Sequence, residues 1–298
     1  MEQAAPRRVG RVAVIGRPNV GKSTLVNALV GERVSITSRK PQTTRDRVLG
    51  VRTDAEAQYI FVDTPGFQRR HRSALNKRMN AQVAGALADV DVIVLVIEAT
   101  GWRGEDEEVV RLLPGGSDRV ILAINKTDTI AEREKLLPLM ADSMRRFPFQ
   151  AIVPVSAEKK RQLDDLLKEI APRLPEGMPL FDPDQYTDRS VRFLAAEQVR
   201  EKAYRLLGDE LPYGIAVTID RWDETDDGAN IVATLVVDRA AHRPIVIGKE
   251  GAKLREISRL ARADIVEMLG KRVHLEVWVR VKKGWNDDTR ALRTLGYE

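Results

Sequence analysis

A glycine-rich run near the start of the chain constrains the fold more than any other stretch. Gly16–Ser23 reads GRPNVGKS and fits the phosphate-binding pattern G-x-x-x-x-G-K-[ST]. The apolar run Arg11–Ile15 before it is typical of a buried strand, and Lys22–Val30 after it has the pattern of a helix that Gly31 ends. Inward N–H groups and the start of a helix attract phosphate. The predicted polyphosphate site comprises Gly16, Arg17, Pro18, Asn19, Val20, Gly21, Lys22, Ser23 and Thr24.

Strand-like and helical runs alternate through the part of the chain that follows. Val90–Ile97 (VDVIVLVI) is as apolar as a strand buried on both faces, and helical patterns include Ala74–Ala88 and Ala131–Arg146. This alternation predicts an α/β fold, in which a doubly wound sheet carries helices on both faces. In such a sheet, ligands bind beyond the carboxyl ends of the strands, so motifs placed there deserve most weight.

A second motif, Asp63–Gly66 (DTPG), follows the strand that ends at Val62. A carboxylate at this place can hold Mg²⁺ through water, and the Gly66 N–H can meet a γ-phosphate. We expect Lys22 to neutralise the β- and γ-phosphates and the Ser23 hydroxyl to join the Mg²⁺ shell. The second motif adds Asp63, Thr64, Pro65 and Gly66 to the predicted nucleotide site.

Two further strand ends predict a guanine-binding site. Asn125–Asp128 (NKTD) follows Ile124, and Ser156–Glu158 (SAE) follows Val155. The Asp128 carboxylate can accept hydrogen bonds from guanine N1–H and N2–H₂; adenine lacks both donors, so the site favours GTP. Backbone amides of the SAE turn can meet guanine O6. The predicted base-reading residues are Asn125, Lys126, Asp128, Ser156, Ala157 and Glu158.

A polar loop, Thr37–Asp46 (TSRKPQTTRD), lies between the first helix and the next strand. Such a loop can order around Mg²⁺ through one threonine hydroxyl while γ-phosphate is bound, then relax after hydrolysis. The alternative is a solvated connector. Thr44 is our preferred metal ligand in this loop, and Thr43 is the alternative. No carboxylate or histidine stands out as a general base, so catalysis is assigned to positioning by Lys22, Thr44, Asp63 and Gly66.

Composition excludes several classes of site. The chain has no cysteine, which excludes disulfides and thiolate metal sites, and its three histidines disfavour a histidine-based one. We expect no signal peptide and no membrane-spanning segment, and therefore a cytoplasmic protein. A net charge of +5 hints at a polyanionic partner.

The element pattern changes after a proline-rich stretch. We predict a nucleotide-binding domain at 8–172, a linker at 173–190 and a second, α+β domain at 191–298. In the second domain, Gly248–Gly251 (GKEG) lies between two helices, and the stretch from Arg239 to Arg262 carries seven Lys or Arg. Such a density of positive charge favours a surface that follows phosphates.

The helix and strand order around GKEG resembles a type II KH domain. In KH domains the G-x-x-G loop lets the backbone approach the sugar–phosphate chain of single-stranded RNA. Glu250 departs from a fully basic loop, which leaves Lys249 as its cation. The RNA-binding residues implied are Ile247, Gly248, Lys249, Glu250, Gly251 and Lys253.

The G-x-P-N-x-G-K-S form and the Thr43–Asp46 run (TTRD) resemble the translation-factor-like GTPases, and among them the Era and MnmE-like branch. Phe67 stands where Ras-like GTPases carry the glutamine that orients the attacking water. The branch is thought to position water otherwise, and several members use K⁺ held partly by the asparagine corresponding to Asn19. An asparagine that only structures the loop is the alternative, and both remain open.

From end to end the chain resembles the Era family of bacterial GTPases, including His274–Arg280 (HLEVWVR) and Gly284–Arg293 (GWNDDTRALR). The resemblance implies binding of GTP and GDP, of Mg²⁺, and of the 3′ region of small-subunit ribosomal RNA during 30S subunit assembly. It also implies peripheral association with the inner membrane, although no amphipathic anchor is evident, and no DNA partner. The alternative is a GTPase whose C-terminal domain docks a protein or membrane partner.

Overall fold

The computed structural model describes residues 8–38, 40, 42–67, 73–115, 118–208, 211 and 214–297. Their contacts divide into two compact units. The first takes in the described residues up to Ser35, then those within Thr44–Arg70 and Met79–Asp188; the second takes in those within Ile36–Thr43, His71–Arg78 and Arg189–Glu298. No helix in the described part of the chain is both long and apolar enough to cross a membrane.

A six-stranded sheet forms the centre of the first unit. Its strands are β1 (Arg8–Ile15), β2 (Val48–Thr53), β3 (Ala57–Asp63), β4 (Val92–Glu98), β5 (Val120–Asn125) and β6 (Ala151–Pro154). They lie in the order β2-β3-β1-β4-β5-β6, and all neighbours pair in parallel except β2 with β3. The predicted doubly wound α/β fold is confirmed.

Burial explains why the central strands read as continuous apolar runs. Each residue of β4 from Val92 to Ile97 is 0% exposed, as expected for a parallel strand that is covered on both faces. The glycine-rich loop follows β1, DTPG begins at the end of β3, and NKTD begins at the end of β5. Because these strands are parallel, their carboxyl ends meet at one edge of the sheet, where the motifs converge.

The helices in the same part of the chain are α1 (Lys22–Val30), α2 (Ala74–Ala88), α3 (Gly104–Val110), α4 (Leu136–Arg146) and α5 (Leu163–Ile170). The prediction of one helix from Ala131 is wrong, because Arg133–Lys135 forms a 3-10 turn before α4. Pro138 has no N–H to donate to residue 134, so an α-helical hydrogen bond cannot form across that point. A proline is tolerated in the first turn of a helix, which is where α4 places it.

The proline-rich stretch after α5 lies along the first unit. Val9 N donates to Pro175 O at 3.0 Å, and Val51 N donates to Tyr186 O at 2.9 Å. The buried Gln58 side chain donates to Phe181 O at 2.8 Å and accepts from Leu180 N at 2.7 Å. This part of the chain is therefore fixed by hydrogen bonds to β1, β2 and β3, although its sequence has no period.

The second unit packs helices on a three-stranded sheet. Its strands are β7 (Ile215–Thr225), β8 (Gly228–Val237) and β9 (Arg272–Val281), in that order, with β7–β8 antiparallel and β8–β9 parallel. Its helices are α6 (Val191–Leu206), α7 (His242–Ile247), α8 (Ala252–Leu269) and α9 (Thr289–Thr294). Alternate residues of β8 join α6 and α8 in one core, which gives the predicted α+β class.

The short helix α9 is an element that the sequence patterns did not predict. Asp288 caps it by accepting from Arg290 N at 2.9 Å. Trp285, just before it, is 0% exposed, stacks on Tyr297 with 5.8 Å between ring centroids, and donates from Nε1 to Gly214 O at 3.1 Å. The tryptophan thus anchors the end of the chain to the start of β7.

Candidate functional sites

The glycine-rich loop runs from the end of β1 to the start of α1. Gly21 caps α1 at φ +97°, and a Cβ at this position would overlap Nδ2 of Asn125. Lys22 Nζ donates to Arg17 O at 3.0 Å, so the lysine folds back over the loop. The loop thus ends at the N-terminus of α1, and the N-terminus of a helix attracts anions.

Three side-chain oxygens meet beside this loop. Ser23 Oγ lies 2.7 Å from Thr44 Oγ1, which donates to Asp63 Oδ2 at 3.4 Å. Asp63 is fully buried, and its Oδ1 has no hydrogen-bond partner among the described residues. Thr43 is turned elsewhere, with Oγ1 donating to Lys40 O at 2.7 Å. Two hydroxyls and an unsatisfied buried carboxylate oxygen form a donor set that suits Mg²⁺.

Burial shifts the pKa values of the two charged groups in this cluster. It raises the pKa of the Asp63 carboxyl, although Ser23 and Lys22 act in the opposite direction. Burial also lowers the pKa of Lys22 to about 8, against the attraction of Asp63. Both shifts reflect the cost of holding a charge away from water, which a bound cation and a bound phosphate relieve.

Asn125 links the glycine-rich loop to the SAE turn. Its Nδ2 donates to Val20 O at 2.9 Å, and its Oδ1 accepts from Ala157 N at 3.0 Å. The side chain is 2% exposed, so both bonds are shielded from water. One amide thereby fixes the spacing between the phosphate-binding loop and the turn predicted to meet guanine O6.

The NKTD turn presents Asp128 next to the SAE turn. Lys126 adopts φ +64°, and a 3-10 turn at Thr127–Thr129 carries Asp128. Asp128 Oδ1 accepts a hydrogen bond from Ser156 Oγ, and Lys126 Nζ donates to Asn19 O at 2.7 Å. Ser156 and Ala157 are buried, whereas Glu158 is exposed. The structure thus brings the predicted base-reading residues together, apart from the Glu158 side chain.

The remaining predicted residues have other environments. Thr64 Oγ1 donates to Val14 O at 2.8 Å, so that hydroxyl ties β3 to β1. The backbone of Gly66 lies against Pro18, where a Cβ would come within 2.8 Å of the proline Cα. Asn19 is exposed at φ +66°. Phe67 is 7% exposed and packs in the core of the first unit.

A buried ion-pair network behind the loop was missed by the sequence patterns. The Arg17 guanidinium is held by two carboxylates: Nη2 contacts Glu98, and Nε donates to Asp106 Oδ2 at 3.3 Å. Glu98 also accepts from Lys126 Nζ. Burial opposes ionisation of Glu98, yet hydrogen bonds from Lys126 and Arg17 hold its pKa below the ordinary value. The sequence signal that could have revealed this network is Glu98 itself, a single acidic residue at the end of an otherwise apolar strand.

The described residues within Ile36–Thr43, which include the first part of the polar loop, belong to the second unit, and three of them are bonded to α6. Arg200 Nη2 donates to Thr43 O at 2.7 Å, and Tyr204 Oη donates to Gln42 O at 3.2 Å. Glu201 Oε1 accepts from Thr37 N at 3.0 Å. Gln42 and Thr43 are buried, so this part of the loop is not a solvated connector. Arg39 and Pro41 lie outside the described residues.

The GKEG loop joins α7 to α8 at the surface of the second unit. Ile247 ends α7, and Gly248 turns the chain at φ +72°, ψ 176°. Arg255 Nη1 donates to Glu250 O at 2.7 Å and closes the loop from the side of α8. Lys249 and Glu250 are exposed, whereas Lys253 in the first turn of α8 is half-buried.

An apolar groove of about 260 Å³ lies between these helices and β9. Ile247 and Leu254 line the helix side, and Val277 and Val279 line the strand side. Trp278, at the same groove, is 59% exposed. An exposed aromatic ring is a surface on which an unstacked base can stack.

Comparisons with known proteins agree with this arrangement. Residues 11–126 match the family model of the 50S ribosome-binding GTPase, and residues 210–286 match that of the KH domain. The chain is 56% identical to GTPase Era of Bordetella avium, over 98% of each chain. It is 48% identical to GTPase Era of Nitrosomonas eutropha, over 99% of each chain.

Two solved structures match 97% of the chain. The crystal structure of Era in complex with MgGDPNP and nucleotides 1506–1542 of 16S ribosomal RNA superposes with a TM-score of 0.94 at 44% identity. The match covers 97% of this chain and 99% of that one. An Aquifex aeolicus Era variant bound to GDP.AlF4- gives the same TM-score, identity and coverage.

Proposed function

Because the chain belongs to the GTPase Era family, we propose that it is a GTP-hydrolysing switch that binds the 3′ region of small-subunit ribosomal RNA and assists 30S subunit assembly. The observation that carries this proposal is the convergence of Ser23, Thr44 and Asp63 beside the phosphate-binding loop. We assign GTP binding to 8–172, a linker to 173–190 and RNA binding to 191–298. Residues 36–43 pack with the second unit although they precede the linker.

The roles in the nucleotide site follow from the side chains. Lys22 neutralises the β- and γ-phosphates, and the Gly66 N–H senses the γ-phosphate. Ser23, Thr44 and Asp63 hold Mg²⁺, which neutralises charge on the phosphates when bound. The unsatisfied Oδ1 of Asp63 supports this assignment.

Asp128 selects guanine. Its carboxylate is an acceptor, and the neighbouring Ser156 hydroxyl already donates to Oδ1. Guanine N1–H and N2–H₂ satisfy the remaining acceptor positions, whereas adenine leaves them unpaired. An ATP-driven enzyme is therefore disfavoured.

Hydrolysis relies on positioning rather than on a side-chain base. Phe67, at the place of the Ras-like glutamine, is packed in the apolar core and has no polar atom to orient water. We expect slow intrinsic turnover, on the order of minutes or longer per GTP. Asn19, exposed at the phosphate-binding loop, is proposed to help hold K⁺ there.

The second unit reads single-stranded RNA. Lys249 and Lys253 provide charge for phosphates, the Gly248 and Gly251 backbones allow close approach, and the groove beside Ile247 takes bases. The related Era structure with 16S ribosomal RNA nucleotides supports this role. Trp278 offers an exposed ring on which a base stacks.

Residues 36–43 couple nucleotide state to RNA binding. Thr44 contacts Ser23 in the first unit, while the preceding Thr43 is bonded to Arg200 on α6 in the second. Release of Thr44 after hydrolysis frees the chain that α6 holds. The proposal requires only that RNA affinity differ between the GTP and GDP states.

Binding to a short RNA with the 3′ sequence of small-subunit ribosomal RNA tests the proposal. Phosphate contacts make the affinity fall steeply as salt rises, whereas docking of a protein partner need not follow phosphate charge. Absence of RNA binding by a protein that hydrolyses GTP would favour the docking alternative. We place the protein in the cytoplasm; peripheral association with the inner membrane stays a prediction from the family.

A further inference from the structure

Glu98, the last residue of β4, joins the two loops that hold the nucleotide. Its Oε2 accepts from Arg17 Nη2 in the phosphate-binding loop, and its Oε1 accepts from Lys126 Nζ in the NKTD turn. Lys126 Nζ also donates to Asn19 O at 2.7 Å. The carboxylate is 12% exposed, so both charge-assisted bonds are largely shielded from water.

We propose that Glu98 is a positioning residue for guanine-nucleotide binding, which holds the Lys126 ammonium against the phosphate-binding loop and so fixes the Asp128 turn relative to the phosphates. The inference rests on the proposed GTP site. It assigns no contact between Glu98 and the nucleotide, because both carboxylate oxygens are engaged by protein cations.

Glu98 Oε2 also pairs with the exposed Arg103 at 3.5 Å, and Arg17 and Lys126 depend on Glu98 to different degrees. Arg17 retains a second carboxylate, Asp106, which is fully buried and also accepts from Arg103 N at 2.9 Å. For Lys126, Glu98 is the one carboxylate paired with it among the described residues. Neutralising Glu98 therefore leaves Arg17 paired with Asp106, whereas Lys126 loses its carboxylate and keeps the weaker hold of its bond to the Asn19 carbonyl.

The test begins with Glu98→Gln, which keeps the shape of the side chain and removes its charge. We expect fluorescently labelled GDP to bind about tenfold more weakly, mainly through faster release, because the variant loses a charge-assisted hydrogen bond. Hydrolysis at saturating GTP should stay within about twofold of the wild type, because the Ser23, Thr44 and Asp63 cluster is unchanged. This split between affinity and turnover separates positioning from general damage to the fold.

A double-mutant cycle identifies the partner through which Glu98 acts. In a Lys126→Met background, Glu98→Gln should cause no further loss of GDP affinity. Glu98→Asp keeps the charge and should recover most of the loss. The control is Glu107→Gln on α3, whose carboxylate pairs with Arg146 at 2.7 Å; it should leave GDP affinity unchanged.

Three results would overturn the inference: unchanged GDP binding in Glu98→Gln, an equal loss in the Lys126→Met background, or no recovery with aspartate. Failure of the wild type to bind GDP would instead contradict the proposed GTP site itself. If Glu98→Gln does not fold, the cycle is run with Glu98→Asp, whose shorter side chain should cost a smaller factor that Lys126→Met likewise abolishes.

Discussion

Arg200 Nη2 donates a hydrogen bond of 2.7 Å to the main-chain oxygen of Thr43, one peptide bond before Thr44. Arg200 is 1% exposed, and its guanidinium also pairs with Glu197. Burial acts to lower the pKa of Arg200, but Glu197 raises it, so the donor stays charged. A permanently charged, buried donor holds this carbonyl more firmly than a surface contact would.

The first prediction concerns coupling through this bond. Arg200→Lys keeps the charge but loses the fork that contacts Glu197 and Thr43 together. The coupling is measured as the RNA affinity with a non-hydrolysable GTP analogue bound, divided by the RNA affinity with GDP bound. In Arg200→Lys this ratio should differ about fivefold or more from that of the wild type and lie closer to one. Arg192→Lys, an exposed change on the same helix, should leave the ratio as in the wild type. An unaltered ratio in Arg200→Lys would remove α6 from the coupling.

The second prediction concerns base selectivity. Asp128→Asn presents N–H donors towards the N2–H₂ group of guanine, so GTP affinity should fall at least about tenfold. Xanthosine triphosphate has a carbonyl oxygen in place of that amino group and should bind the variant better than GTP does. Competition titrations against labelled GDP measure both. Equal GTP affinity in variant and wild type would reject the assignment of Asp128.

The third prediction concerns the monovalent cation. Because we propose that Asn19 helps hold K⁺ beside the phosphates, hydrolysis in K⁺ buffer should exceed that in Na⁺ buffer at equal ionic strength. Asn19→Ala should lower the K⁺ rate towards the Na⁺ rate without changing Mg²⁺ dependence. Identical rates in the two salts would leave Asn19 as a residue that only shapes its loop.

The fourth prediction separates the two activities. Replacing Lys249 and Glu250 together with aspartate puts negative charge where RNA phosphates pass, and aspartate tolerates the φ of +51° found at Glu250. RNA affinity should fall at least about tenfold, while GTP affinity without RNA stays unchanged. Lys168→Asp, at a 73% exposed side chain on α5, controls for net charge. Wild-type RNA binding by the folded double variant would contradict the KH assignment.

Most residues of the nucleotide site could be predicted from short local motifs in the sequence. The order β1, glycine loop, α1 is contiguous in sequence, and DTPG and NKTD each sit at a strand end, so the parallel sheet alone brings them together. The sequence pattern placed the start of α4 too early, because the apolar period extends back past Pro138. The proline lacks the N–H that an α-helical bond to residue 134 requires, and this determines where the helix begins.

Contacts between distant residues account for what the sequence did not predict. Glu98 lies 81 positions from Arg17 and 28 from Lys126, and no local pattern records such a partner. The packing of Gln42 and Thr43 on α6 spans more than 150 positions. The domain bounds and the roles of the site residues stay predictions that the four experiments address.

The hydrogen bonds of Gln58 determine where the chain can be truncated to leave the proposed nucleotide-binding part alone. Its buried amide bonds Leu180 and Phe181, and Thr187 Oγ1 donates to Leu49 O at 2.7 Å along the free edge of β2. A chain truncated after residue 172 would keep the bond from Gln58 Nε2 to Thr53 Oγ1 but lose both acceptor bonds of Oε1 and the bond to Phe181 O, and it would uncover the edge of β2. A buried unsatisfied oxygen costs stability, and an uncovered edge strand promotes aggregation. A truncation after Asp188 retains these partners, and it defines the shortest piece in which we expect the nucleotide site to stay soluble.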